Sequence, residues 1–92
     1  MRTEHLEVRA NDSLLSHARA AVIVGKHGHT IVERNRLRRR LRELLRSTML
    51  PVMKAGDIVV RALPSAYSSS FDELSKEMND LTAMLKTTIE KT

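Results

Sequence analysis

One amphipathic segment, residues 30–51, limits the folds that this chain can adopt. Thr30 and Glu33 have the spacing of a capping box, in which the two side chains satisfy free backbone amides at a helix start. Proline disfavours helical geometry in the residue before it, so we expect the helix to stop before Pro51. Between these limits an apolar stripe recurs at helical spacing, made of Leu37, Leu41, Leu44, Leu45 and Met49. The segment therefore predicts an amphipathic helix that packs through this stripe.

The remaining faces of the predicted helix carry a dense group of arginines. The seven are Arg34, Arg36, Arg38, Arg39, Arg40, Arg42 and Arg46. Successive residues of a helix are rotated by 100° about its axis, which places four residues opposite the leucines, with Arg36 nearby. These four are Asn35, Arg39, Arg42 and Arg46. Arg34 and Arg38 fall on a flank.

This segment also holds the whole net charge of the chain, which is +5. Residues 31–46 contain seven arginines and two glutamates, whereas the rest of the chain has nine basic and nine acidic residues. A concentrated basic stripe is typical of a protein that binds a polyanion. Guanidinium groups form paired hydrogen bonds to phosphate and stay charged near neutral pH, and Asn35 can bond to a base or ribose edge. A solvated basic face on an ordinary helix is the alternative interpretation, which so many self-repelling arginines disfavour.

The rest of the chain predicts a small sheet and a second helix. Residues 4–10 alternate polar and apolar at Leu6, Val8 and Ala10, residues 19–25 contain a β-branched run, and residues 58–60 form a third short strand. Residues 11–13 have turn chemistry, residues 25–29 form a loop in which Gly28 can take positive φ, and residues 65–69 form a polar loop.

The second helix begins at another capping box, Ser70 with Glu73, and runs to about Ile89. Its apolar stripe is Leu74, Met78, Leu81 and Leu85, and its expected wet face is Asp72, Glu73, Glu77 and Asp80. The order strand-strand-helix-strand-helix predicts an α+β fold, a small sheet with two amphipathic helices packed on it. The length suggests that residues 1–92 form a single domain.

The arginine block resembles the signature of the bacterial ribonuclease P protein family. The matching residues run from Arg34-Asn35-Arg36 through Arg46. The flanks are similar as well, in residues 19–27, 56–62 and 70–74, so that the resemblance covers about residues 4–90. It implies the rare left-handed β-α-β crossover around the arginine helix, as in the second domain of ribosomal protein S5.

The resemblance also implies a function. In that family an RNA cuts the 5′ leader from precursor tRNA with Mg²⁺, and the protein improves substrate binding and metal occupancy. We therefore expect a non-catalytic subunit of ribonuclease P, with ribonuclease P RNA and precursor tRNA as partners and Mg²⁺ bound through the RNA. The expected RNA-binding residues are Arg19, Lys26, His27, Arg34, Asn35, Arg36, Arg38, Arg39, Arg40, Arg42 and Arg46.

Two departures from the family pattern concern the leader of precursor tRNA. We find no match to the family's N-terminal helix and short first strand, and Val22 stands where many members carry phenylalanine. Stacking of a base on an aromatic ring contributes about 1–3 kcal/mol, so we expect weak leader binding through stacking.

Other kinds of site receive little support. Without cysteine there is no disulfide or thiolate metal site, and no catalytic constellation surrounds Ser68, Ser69 or Ser70. The histidines, among them His5 and His29, are expected on the surface and not as metal ligands. With no signal peptide and no membrane-length apolar stretch, we expect a cytoplasmic protein that does not bind a membrane. We also expect no small-molecule ligand.

Two further functions remain open. A DNA-binding basic zipper would need several apolar heptads after the basic block, and Pro51 intervenes within one. A truncated relative, or a sequence-nonspecific RNA- or DNA-binding protein, would bind nucleic acid without supporting tRNA processing.

Overall fold

The structure, a computed structural model, describes residues 1–11, 18–52 and 56–90. Within these ranges the main elements are β1 (Leu6–Asn11), β2 (Ala18–Val24), α1 (Ile31–Leu44), β3 (Gly56–Ala62) and α2 (Phe71–Glu90). The predicted order and the α+β class are confirmed. The turn predicted at residues 11–13 lies outside the described residues apart from Asn11.

The three strands form one sheet in which β3 is central. β1 pairs with β3 antiparallel and β2 pairs with it parallel, so that Val60 lies opposite both Val8 and Val22. Parallel neighbours need a crossover connection, and α1 supplies it. The outer edge of β2 has no strand partner among the described residues.

One face of the sheet is buried beneath the two helices. The buried cluster includes Leu6, Val8, Val24, Ile58 and Val60 from the sheet, Leu37, Leu41 and Leu44 from α1, and Leu74, Met78, Leu81 and Leu85 from α2. Both predicted helical stripes are therefore confirmed. Full burial of one such side chain contributes about 1.5–3 kcal/mol, so this cluster is the main source of stability.

The other face of the sheet is open to solvent. It carries Glu7, Arg9, Ile23, Val59 and Arg61, which line a shallow depression of about 310 Å³. One prediction for the strands is wrong, because Ala10 is exposed rather than buried. Val22 packs half-buried against the core, whereas its neighbour Ile23 lies on the open face, because successive side chains of a strand point to opposite faces.

The end of α1 differs from the expected stop at Pro51. The regular helix ends at Leu44, a π-helical turn follows at Leu45–Met49, and a 3-10 turn at Leu50–Val52 contains the proline. The hydroxyl of Ser47 donates to the carbonyl of Glu43 at 2.9 Å, within this irregular stretch. Pro51 is tolerated because amides in the first turn of a helix have no partner inside it.

A short 3-10 helix, Pro64–Ser68, replaces most of the polar loop predicted at residues 65–69. Proline suits the first turn of such a helix, and the buried side chain of Ala66 anchors it to the core. The capping box at Ser70 and Glu73 is confirmed, with both hydrogen bonds at 3.1 Å.

Two ionisable residues expected on the surface are buried. His5 is 7% exposed and Glu77 is 9% exposed. They form a hydrogen-bonded pair between the segment before β1 and α2. The predicted wet face of α2 therefore excludes Glu77.

Candidate nucleic-acid interface

The start of α1 is fixed by the predicted capping box and by a histidine. The amide of Glu33 donates to the hydroxyl of Thr30 at 3.2 Å, and the amide of Thr30 donates to Oε1 of Glu33 at 3.1 Å. Nδ1 of His29 bonds to Oε2 of Glu33 at 2.8 Å. The bond from His29, followed by those from Thr30, lowers the pKa of Glu33 to about 2. Glu33 is therefore an anion at the positive end of the helix dipole.

A tight turn, Lys26–His29, precedes α1 and presents two of the predicted site residues. The amide of His29 donates to the carbonyl of Lys26 at 2.7 Å, and the two central residues have positive φ, 43° at His27 and 80° at Gly28. This confirms the conformation expected of Gly28. A Cβ on Gly25 would lie 2.6 Å from Nε2 of His27, so a larger residue there would make this exposed ring move. Lys26 and His27 are both exposed.

Tyr67 holds this turn from the 3-10 helix. Its hydroxyl donates to the carbonyl of Gly25 at 2.6 Å. Its ring stacks on His29, with centroids 3.7 Å apart and planes 9° from parallel. Burial raises the pKa of Tyr67, which keeps the hydroxyl protonated as a donor. One side chain thus contacts the residue before the turn and the last residue of the turn.

The arginines lie where the helical spacing predicts. Asn35, Arg36, Arg39, Arg42 and Arg46 are exposed, whereas Arg34, Arg38 and Arg40 are half-buried. Nη1 of Arg38 donates to the side-chain oxygen of Asn35 at 3.0 Å. Among the described residues, none of the seven arginines of the segment has a carboxylate within 4.0 Å. The positive charges are therefore free to bind an external anion.

These side chains form a groove along the exposed side of α1. It has a volume of about 520 Å³ and is lined by Asn35, Arg38, Arg39, Arg42, Glu43 and Arg46. Arg42 and Arg46 also border a second depression of about 380 Å³ that leads to the outer edge of β2 at Ala20 and Ala21. The structure thus brings four of the eight predicted arginines, Arg38, Arg39, Arg42 and Arg46, together with Asn35 in one groove.

Arg19 does not join this surface. It lies on β2 beside β3, where Nε and Nη2 donate to the carboxylate of Asp57 at 2.9 and 3.3 Å. The hydrogen bond and the charge of Asp57 raise its pKa. A phosphate at Arg19 would have to compete with a carboxylate that is already bound in a paired geometry.

Sequence reasoning missed the contributions of Tyr67 and His29. Tyr67 lies 42 residues from Gly25, and no local pattern relates the two positions. The i, i+4 spacing of His29 and Glu33 was a signal that could have predicted their bond once the helix start was placed.

Within the described ranges, no group of three or more histidines and carboxylates is arranged to hold a metal ion. In the same ranges no helix is long and apolar enough to cross a membrane.

The chain matches known proteins over most of its length. The family model for ribonuclease P matches residues 1–86. A ribonuclease P protein component of Acidothermus cellulolyticus is 41% identical over 69 residues, which are 75% of this chain and 58% of that protein. One from Kocuria rhizophila is 38% identical over 66 residues, 72% of this chain and 58% of that protein. The chain thus matches little more than half the length of these relatives.

Solved structures show the same fold. The ribonuclease P protein of Staphylococcus aureus superposes with a TM-score of 0.78 at 22% identity, covering 94% of this chain and 79% of that one. The protein from Thermotoga maritima gives 0.77 at 22% identity, covering 89% and 78%. Because the family model spans nearly the whole chain and two relatives exceed 30% identity over more than two thirds of it, the chain belongs to the ribonuclease P protein family.

Proposed function

We propose that this chain is the protein subunit of a ribonuclease P and binds the catalytic RNA through the exposed face of α1. The observation that carries the proposal is the set of seven arginines, none paired with a described carboxylate, on a helix whose leucine stripe is buried in the chain's own core. That burial also disfavours a basic zipper, because Leu37, Leu41 and Leu44 have no free seam to offer a second helix.

The proposed role is binding and not chemistry. Forked guanidinium groups along α1 neutralise phosphates of the RNA partner, and the turn at Lys26 and His27 adds cationic and hydrogen-bonding groups near the helix start. Removal of the 5′ leader from precursor tRNA takes place in the RNA, with Mg²⁺ held by RNA phosphates. The names of the relatives support the assignment to this endoribonuclease complex.

The test is precursor-tRNA cleavage by a bacterial ribonuclease P RNA at low Mg²⁺, with and without the protein. We expect the protein to restore cleavage that the RNA performs poorly alone, and an Arg39→Ala/Arg42→Ala variant to restore less. Lys76→Ala, which removes an exposed cation from α2, is the matched control. Tight RNA binding without any stimulation of cleavage would favour a nucleic-acid-binding protein with no role in processing.

A further inference from the structure

Two pairs of arginines lie on opposite flanks of α1, with Arg39 and Arg46 on the exposed face between them. Arg38 and Arg42 form one i, i+4 pair and line the 520 Å³ groove. Arg36 and Arg40 form a second pair and line a different recess. At 100° per residue, the midpoints of the two pairs lie about 160° apart around the helix axis.

The recess beside Arg36 and Arg40 is distinct from the 520 Å³ groove and from the depression at the edge of β2. It lies between α1 and the 3-10 helix Pro64–Ser68, has a volume of about 120 Å³, and is lined by Arg36, Leu37, Arg40, Ala66, Tyr67 and Ser69 together with Glu33. At about 30 Å³ for each water, it has room for roughly four water molecules, which is the scale of one phosphate group. The carboxylate of Glu33 does not pair with these arginines, because its oxygens are bonded to His29 and Thr30.

One arginine on each flank is partly buried. Arg38 is half-buried and bonded to Asn35, and Arg40 is half-buried between α1 and the 3-10 helix. Partly buried arginines typically pack their aliphatic stems while the charged end stays in water. The two sets of guanidinium groups are therefore separated by about the width of a helix with its side chains, 10–12 Å. One phosphate backbone passing along one flank does not reach both.

We propose that α1 lies between two separate backbone segments of a folded RNA, one bound by Arg38 and Arg42 and the other by Arg36 and Arg40. This inference rests on the proposed RNA-binding function and adds the class of target, a structured RNA whose backbone passes on both sides of the helix. A single strand engages one flank at a time. The protein then holds two RNA segments at a fixed distance as well as neutralising charge.

Two matched double variants test the arrangement. Arg36→Ala/Arg40→Ala and Arg38→Ala/Arg42→Ala each remove two cations from one flank. Against a ribonuclease P RNA transcript, each variant is expected to weaken binding at least tenfold and to reduce the slope of log K against log[salt] by about 1.5. Against an oligouridylate probe, each variant is expected to bind within about threefold of the parent, because the other flank still takes the strand.

Site-directed cleavage gives an independent readout. The chain has no cysteine, so a single introduced cysteine is the only attachment point for an iron chelate. Glu43→Cys places the chelate in the 520 Å³ groove, and Ser68→Cys places it beside the recess. We expect hydroxyl radicals from the two positions to cut two RNA segments that are far apart in the RNA sequence. Cuts confined to one continuous segment from both positions would overturn the two-segment arrangement.

The outcomes separate this inference from the proposed function. If the Arg38/Arg42 variant loses RNA affinity and the Arg36/Arg40 variant keeps it, α1 lies on one strand and the inference is wrong while RNA binding stands. If neither double variant changes affinity, the proposed function fails with it. Circular dichroism and thermal unfolding confirm that each variant is folded before binding is measured.

Discussion

His5 and Glu77 form a buried hydrogen-bonded pair that joins the segment before β1 to the middle of α2. The ring Nδ1 of His5 bonds to Oε2 of Glu77, and the backbone amide of His5 donates to Oε1 at 2.8 Å. The hydroxyl of Thr3 donates to the same Oε1. A buried charged group needs hydrogen-bond partners of this kind, because moving it out of water without them costs much free energy.

The pair predicts a pH optimum for stability. The hydrogen bond to Glu77 raises the pKa of His5, against the effect of burial. Burial would raise the pKa of Glu77, but hydrogen bonds from Thr3 and His5 outweigh it and lower the pKa. The histidine stabilises the fold below its unfolded pKa of 6.5, and the carboxylate does so above its unfolded pKa of 4.5. The free energy of unfolding is therefore expected to be highest between these two values.

Urea unfolding measured from pH 3 to 9 checks this optimum. Stability is expected to fall as the pH rises through the folded pKa of His5, and to fall on the acid side as Glu77 is protonated. His5→Gln should flatten the alkaline fall. The control His27→Asn changes an exposed histidine in the turn and should leave the fall intact. An unchanged alkaline fall in His5→Gln would remove His5 as its cause.

Breaking the pair from one side should be strongly destabilising. Glu77→Leu leaves His5 and the hydroxyl of Thr3 without their acceptor, at a cost of about 3 kcal/mol. For a domain of this size the melting temperature should fall by on the order of 10 °C or more. The control Asp80→Leu makes a similar change at an exposed position of α2 and should shift stability by about 0.5 kcal/mol or less. Calorimetry on the two variants decides whether the pair is structural.

The burial of Glu77 could have been predicted, because the apolar stripe of α2 was placed correctly. It lies three residues after Leu74 and four before Leu81, so it falls on the edge of the buried stripe and not opposite to it. The charge of Glu77 suggested a solvent-exposed position, whereas its place along the helix indicated a buried one. The partners could not have been predicted, because Thr3 and His5 come from a segment more than 70 residues away.

In the candidate nucleic-acid interface too, features set by local spacing could be predicted, and features set by packing between elements could not. Helical periodicity placed the arginines and leucines of α1 correctly, because both depend only on spacing along one element. The π-helical turn at Leu45–Met49 and the stack of Tyr67 on His29 depend on packing between elements. The pairing of Arg19 with Asp57 required the register of β2 and β3, which the strand patterns alone did not supply.

RNA binding through α1 should be strongly salt-dependent. If five or six arginines neutralise phosphates, the slope of log K against log[salt] should be about −4 to −5. Arg39→Ala should reduce the slope by nearly one unit and weaken binding about five- to tenfold, because its exposed side chain lies in the groove. Lys76→Ala should change neither. Filter binding across a range of salt concentrations measures both quantities, and a flat salt response contradicts the phosphate contacts.

Arg19 should contribute much less than the arginines of α1. Its guanidinium is already bonded to Asp57 on the sheet, so Arg19→Ala should change RNA affinity less than about twofold. Asp57→Asn provides the reverse test, because it frees the arginine without removing it. If Arg19→Ala weakens binding as much as Arg39→Ala does, the RNA also contacts the sheet and displaces Asp57.

Tyr67 should affect RNA binding through the position of the turn and not through charge. Tyr67→Phe removes the hydrogen bond to Gly25 but keeps the stack on His29, whereas Tyr67→Leu removes both contacts. The leucine variant should bind RNA less tightly than the phenylalanine variant, and the salt slope should stay that of the parent because no cation is lost.

A double-mutant cycle with Lys26→Ala separates positioning from a direct contact of Tyr67 with RNA. If Tyr67 acts by holding the turn, Lys26→Ala should cost affinity in the parent and nearly none in the Tyr67→Leu background, since the lysine is already displaced. Additive losses would mean that Tyr67 and Lys26 act independently. Because Tyr67 is half-buried with its hydroxyl bonded to Gly25 and its ring stacked on His29, we expect the non-additive result.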